Sequence, residues 1–178
     1  MTPTILLLVT VAAETWGPAA VVSHDDHPCV TYRARVAGGY LVVEVKLEPG
    51  WHTFAMDNDK RAAAKLAGKK ALAVDKPTQV QPEGIEITGP WLQSQPKDFS
   101  QPELRLFSWG FEGEALFVAP AKGFVAPAKA SADSAARVRI KGQACTQVVC
   151  KNVDVVADAP VVKVGASSPS LGALIPVL

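Results

Sequence analysis

The sequence predicts an all-β fold, an antiparallel β-sandwich with one short helix and long loops, with a barrel as the runner-up. Three observations carry this expectation. Eight or more short segments alternate apolar and polar residues, and turn signals separate them. Their Val, Ile, Leu, Phe and Tyr residues fall largely on one face and their Lys, Arg and Glu residues on the other, the one-sided burial of antiparallel sheets. The chain of 178 residues, 48% hydrophobic and 20% charged, suits a single domain that can bury a core.

The elements follow in order. Residues 5–13 (ILLLVTVAA) are apolar, too short to span a bilayer, and fit the core of a signal peptide, with Val11 and Ala13 matching a small-residue cleavage site. No Lys or Arg precedes them. The segment 14–27 reads as a polar leader. Residues 30–36 and 40–47 alternate around Gly38 and Gly39, which predicts a hairpin. Glu48, Pro49 and Gly50 form a turn, and residues 51–54 continue as a short strand. Residues 61–70 (RAAAKLAGKK) are the one convincing helix, with Asp59 as cap and Gly68 near the end. Residues 74–80 lead into a strand and 84–88 alternate again. Residues 90–102 read as a polar loop with three prolines, 103–107 and 114–118 as strands, and 120–134 as Ala/Pro/Lys-rich connecting material. Residues 137–141 enter a cysteine-bearing hairpin, and 153–164 leave it, broken near Pro160. Beyond Gly165 the composition predicts a flexible tail, 165–178, whose apolar end is also too short to span a bilayer.

Charge and motif content exclude several classes. The formal net charge is +1 and the Lys and Arg residues are scattered, unlike the basic stripe of a nucleic-acid binder. Lys69, Lys70 and the helical lysines read as a solvated face. The chain has no Gly-rich phosphate loop, no paired-carboxylate signature and no nucleophilic Ser motif. His52 therefore reads as a packed or surface histidine, and Trp51, Trp91, Trp109 and Phe117 as core or sheet-edge aromatics. The run from His24 to Cys29 has His, Asp and Cys at ligand-like spacing, but a polar leader is the simpler reading.

The three cysteines are Cys29, Cys145 and Cys150. Cys29 opens an apolar, β-branched run and reads as a small buried hydrophobe. Cys145 and Cys150 are five apart in strand-like sequence. On one strand they would be separated by about 16 Å and point to opposite faces. They can pair only if the chain reverses between them, as a four-residue hairpin loop allows. Such a pair is either a structural staple or a reversible dithiol.

Five segments, in order, resemble a known family: LEPGWHTF (47–54), PTQV (77–80), PEGIEI (82–87), FEGEALF (111–117), and GQAC (142–145) followed by Cys150. Together they are similar to the N-terminal periplasmic domain of the DsbD family of thiol:disulfide interchange proteins, over about residues 28–164. That resemblance implies an immunoglobulin-like sandwich and a redox-active Cys145–Cys150 pair without a bound cofactor. It implies electrons received from a membrane thiol reductase and passed to thioredoxin-like oxidoreductases, including those of disulfide isomerisation and cytochrome c maturation. Cys150 would form the mixed disulfide with the client and Cys145 would resolve it. Relatives shield the pair with a loop carrying an aromatic cap and adjacent acids, which makes Phe99 the candidate cap and Asp98 the candidate acid, with Asp57 and Asp59 as weaker ones. Two departures stand out: the membrane and thioredoxin-like domains of the full-length relatives have no counterpart in the 178 residues, and Lys151, Asn152 and Val153 follow the second cysteine where relatives often carry prolines. The alternative is a non-enzymatic sandwich with a structural disulfide that binds a protein or a metal.

Overall fold

The structure is a computed structural model that describes residues 16–70, 75–124, 136–162 and 170–178. Among these, thirteen strands and one α-helix build two antiparallel sheets packed as a sandwich. The strands of the first half are β1 (Ala20–His24), β2 (His27–Ala37), β3 (Tyr40–Leu47), β4 (His52–Phe54), β5 (Gln79–Glu83) and β6 (Ile85–Ile87), with α1 (Asn58–Leu66) between β4 and β5. The second half holds β7 (Leu92–Ser94), β8 (Lys97–Asp98), β9 (Trp109–Glu112), β10 (Glu114–Phe124), β11 (Ala136–Cys145), β12 (Cys150–Ala159) and β13 (Leu174–Pro176). One sheet runs β1-β2-β3-β10-β7-β13, with β6 also on β10. The other runs β12-β11-β4-β9-β8, with β5 also on β11.

Period-two burial explains the layers. In β3, Leu41, Val43, Val45 and Leu47 turn inward, and in β11 Ala136, Val138, Ile140 and Ala144 do the same. With Tyr32, Phe111 and Phe117 they form one core between the sheets. The hairpin between β2 and β3 turns at Gly38 and Gly39, whose φ values of 58° and 80° match a two-residue turn of the type that follows strand twist. Gly113 ends β9 and starts β10, so the chain changes sheets there.

A buried polar cluster ties the helix to both sheets. Asp57 is fully buried at the N-terminus of α1 and accepts from Arg61 Nε at 2.8 Å and Nη2 at 3.0 Å. Gln93 Nε2 of β7 donates to Asp57 Oδ1 at 2.8 Å, and the Leu178 N–H donates to Oδ2 at 3.1 Å. The Met56 N–H closes the loop on Gln93 Oε1 at 3.0 Å. Next to it, buried Asn58 accepts the Trp109 N–H at 2.7 Å and donates to the Asp75 carbonyl at 3.0 Å. Every buried polar atom of this cluster thereby has a partner, which its removal from water requires.

The structure differs from the sequence reading in several places. The segment read as a polar leader, 14–27, contains β1 and its turn to β2, because Asp25 and Asp26 adopt φ of 48° and 63° and close a tight hairpin. The segment read as a tail, 165–178, contributes β13, which pairs with β7. The helix starts earlier and ends earlier than 61–70, and Asp57 rather than Asp59 stands at its N-cap. Residues 103–107 are not a strand: a 3-10 turn at Pro102–Leu104 and Arg105 at φ 52° break it. The loop 90–102 holds β7 and β8, and residues 109–112, between the two expected strands, form a strand of their own. These short strands lack alternation because their partners, not their own patterns, define them. The predicted signal segment, 1–13, lies outside the described residues.

Asp57 makes a pH prediction. Burial pushes its carboxyl up, but the bonds from Arg61, Gln93 and Leu178 outweigh that and hold it below the usual carboxylate range. The unfolded chain therefore takes up this proton first as pH falls, so the stabilisation is complete at neutral pH and is lost below about pH 4, through the folded-state value. Urea titrations should show that loss in the wild type. Asp57→Ala should cost about 3 kcal/mol at pH 7 and flatten that part of the acid limb.

Candidate functional site

Strands β11 and β12 pair without a slip over ten residue pairs, from Ala136 opposite Ala159 to Cys145 opposite Cys150. The two cysteines are joined as a disulfide with their Cα atoms 4.0 Å apart. Four residues, Thr146 to Val149, turn the chain between them. Thr146 builds that turn. Its N–H donates to the Val149 carbonyl at 2.8 Å, and its hydroxyl oxygen accepts the N–H groups of Val149 at 3.1 Å and Val148 at 3.2 Å. Val148 stands at the tip, 93% exposed.

The register decides which way the sulfurs point. Ala136, Val138, Ile140 and Ala144 face the core, so the alternate residues of β11, ending at Cys145, face outward. Cys150 opposes Cys145 and shares that outer face. Cys150 is exposed and Cys145 is only 2% exposed. Strand β4 causes the difference, because it pairs along the far side of Cys145 and places His52 directly opposite. Strand β9 continues the row by placing Glu112 opposite His52. Cys150, Cys145, His52 and Glu112 thus line up across four strands on one face, with neighbouring Cβ atoms about 5 Å apart.

Two contacts lock this row in place. Thr53, fully buried, donates to the Gln143 carbonyl at 2.8 Å, and Thr78 donates to the Phe54 carbonyl at 2.6 Å, which fastens β4 to β11 and to the segment before β5. Gly110 allows β9 to lie close on β4, since a Cβ there would meet the Thr53 carbonyl oxygen at 2.0 Å.

Two aromatic rings flank the His52 member of the row. His52 stands edge-on to Phe54 at 5.3 Å between centroids and lies against Phe99 at 5.0 Å with the planes 32° apart. Phe99 follows β8 and is pinned by its N–H on the Ser108 carbonyl at 2.8 Å. It is half-buried. Burial lowers the His52 pKa, against the opposing pull of the Asp75 and Glu112 carboxylates. The Lys97 ammonium, 2.8 Å from Glu112 Oε2, holds the Glu112 carboxyl below its ordinary range.

The other sequence candidates fall elsewhere. Asp98 is exposed, and its carboxylate accepts the Ser100 N–H at 2.9 Å, shaping the turn that presents Phe99. Asp57 belongs to the buried cluster under α1, and Asp59 accepts the Lys60 N–H at the helix surface. Cys29 is fully buried in the first sheet, donates its thiol to the Val22 carbonyl at 3.1 Å, and burial pushes that thiol's pKa up. His24 and His27 oppose each other across the first hairpin. Among the described residues no group of three or more His, Cys, Asp or Glu is arranged to hold a metal ion. Glu112 went unnoticed in the sequence because a glutamate in FEGEALF has no local signal; only the register of β4 with β9 brings it to the row. An open groove of about 430 Å³ continues the same face past Asn152, lined by Lys76, Pro77, Gln79, Lys141 and Asp154.

No protein-family model matches this sequence, and no curated protein matches it. Among solved structures, the fold is similar to the crystal structure of the N-terminal periplasmic domain of ScsB from Proteus mirabilis, at 16% identity and a TM-score of 0.45, over 80% of this chain and 49% of that one. The chain therefore matches about half the length of that structure. No helix among the described residues is long and apolar enough to cross a membrane.

Of the three histidines, His52 should titrate below the ordinary value of 6.5 in an NMR pH series on the oxidised protein, because burial disfavours its charged form. A His52 resonance with its midpoint at or above that value would contradict the buried placement.

Proposed function

We propose that this chain is a thiol-disulfide interchange module of the periplasm or another exported, oxidising compartment, with Cys145 and Cys150 as its redox pair. The observation that carries this reading is the asymmetric placement of one disulfide: on the outer face, with Cys150 exposed and Cys145, beside β4, only 2% exposed. Exchange needs an accessible sulfur and a second thiol held close enough to resolve a mixed disulfide. The opposed pair on β11 and β12 meets both needs. A purely structural role would gain little, because closing so short a loop is worth only about 2 kcal/mol in chain entropy.

In this reading residues 1–13 direct export, the sandwich carries the chemistry and no bound cofactor takes part. The reduced Cys150 thiolate attacks a client disulfide and expels one client thiolate. Cys145 then attacks Cys150 Sγ, the bond between Cys150 and the client breaks, and the second client sulfur leaves with the electron pair. Two electrons pass from the dithiol to the client, and the Cys145–Cys150 bond returns. The clients are thioredoxin-like oxidoreductases, such as those of disulfide isomerisation or cytochrome c maturation, and the electron source is a membrane thiol reductase. Phe99 acts as a cap over the covered side of the pair, and Asp98 holds the cap's turn.

Equilibration against glutathione tests the reading directly. The pair should have a potential between about −120 and −270 mV, as exchange catalysts do, and a value below about −300 mV would mark it as a structural bond. With a thioredoxin-like client, Cys145→Ala should accumulate mixed disulfides and Cys150→Ala should accumulate none.

The cap makes a separate prediction. Phe99→Ala should speed reduction of the disulfide by dithiothreitol several-fold, since access limits attack on a shielded sulfur. An unchanged rate in a folded variant would remove Phe99 from that role.

A further inference from the structure

We infer that the His52 imidazole is the proton acceptor for the resolving thiol, Cys145. The inference deepens the exchange reading above and rests on it.

Three observations place His52 there. It is the residue directly opposite Cys145 on β4, so both side chains leave the same outer face with Cβ atoms about 5 Å apart. The rings of Phe54 and Phe99 flank the imidazole, and Cys145 itself is 2% exposed, so water has poor access to that thiol. The charged groups around the imidazole suit a transient positive charge: Glu112 opposite it on β9, and Asp75 on the segment before β5, with Lys97 of β8 balancing part of the Glu112 charge. Burial keeps the ring neutral at neutral pH, and a neutral ring is the form that can take a proton.

In the mixed disulfide Cys145 carries a proton on its sulfur. As Cys145 Sγ bonds to Cys150 Sγ, that proton becomes strongly acidic and passes to a ring nitrogen of His52. The bond from Cys150 to the client sulfur breaks, and the client leaves as a thiolate. The imidazolium then returns its proton to that thiolate or to water. The local sequence around His52 offers no serine nucleophile for it to serve; its proposed partner is a thiol 93 positions away in the chain.

The test uses the full chain in a Cys29→Ala background, reduced and mixed with 5,5′-dithiobis(2-nitrobenzoate). Attack by Cys150 releases a first equivalent of coloured thiolate, and resolution by Cys145 releases a second. The rate of the second phase is followed from pH 5.5 to 9.5. With His52 present, the rate should inflect below pH 6.5 and be nearly flat above it. In His52→Gln it should be lower by about ten-fold at pH 7 and converge with the parent near pH 9, where the thiol ionises unaided. A parent profile that inflects near pH 8.5, the ordinary thiol value, overturns the proposal without any need for a variant. A slowing by the same factor at every pH also overturns it, since that is what a purely structural role would produce. Absence of a second equivalent overturns the exchange reading itself, and the proposal with it.

Discussion

The ladder between β11 and β12 is the constraint on which the site depends. Ten consecutive pairs fix Cys145 opposite Cys150, and the pleat then sends both to the outer face. Side chains alternate with a period of two, so a slip of one residue would turn one cysteine into the core and leave the other outside. The inward run of Val138, Ile140 and Ala144 against Val153 and Ala157 prevents that slip, because these residues would lose their place in the core. The hydrophobic pattern of the hairpin thus holds the register of its disulfide. Thr146 finishes the work at the tip, since its hydroxyl satisfies two loop N–H groups that would otherwise lack partners in the protein.

The rest of the row is imposed from a distance. β4 touches β11 through only two residue pairs, and buried hydroxyls of Thr53 and Thr78 fasten the gap where β5 takes over as the neighbour of β11. β9 is aligned on β4 by a glycine that admits close backbone approach and by Asn58, which accepts the Trp109 N–H. Asn58 in turn sits beside Asp57, whose bonds to Arg61 and Gln93 hold α1 against the first sheet. A polar cluster that contains neither cysteine therefore sets where Glu112 and, through β8, Phe99 come to lie. Buried networks of this kind resist partial rearrangement, because each lost partner leaves a desolvated group behind.

The proposed chemistry divides labour between the two cysteines by exposure alone. Neither sits at a helix N-terminus, so no macrodipole lowers a thiol pKa in this fold. The exposed Cys150 can meet a partner; the covered Cys145 cannot, and must find its proton acceptor inside the protein. Strand β4, which pairs along Cys145, also brings the imidazole to the thiol's side, and the proposed cap at Phe99 lies against that imidazole. In the proposed chemistry, protection and proton transfer are two consequences of one packing arrangement.

The β-class, the hairpin at Gly38 and Gly39, the helix near Arg61 and the reversal between Cys145 and Cys150 were legible in the sequence, because each rests on local chemistry: alternation, glycine at positive φ, helix-forming composition, and the reach of a disulfide. The burial of Cys29 was legible for the same reason, from the apolar run that follows it. β1, β7, β8 and β13 were not, since strands of two to five residues acquire their identity from the partner they pair with. Nor was the row from Cys150 to Glu112. It joins residues from four separate strands, and what places them side by side is inter-strand register, a property of pairing that no single segment encodes. The sequence by itself determined that two thiols could meet; the tertiary structure alone decided which residues stand around them, because backbone hydrogen bonds between distant strands choose those neighbours.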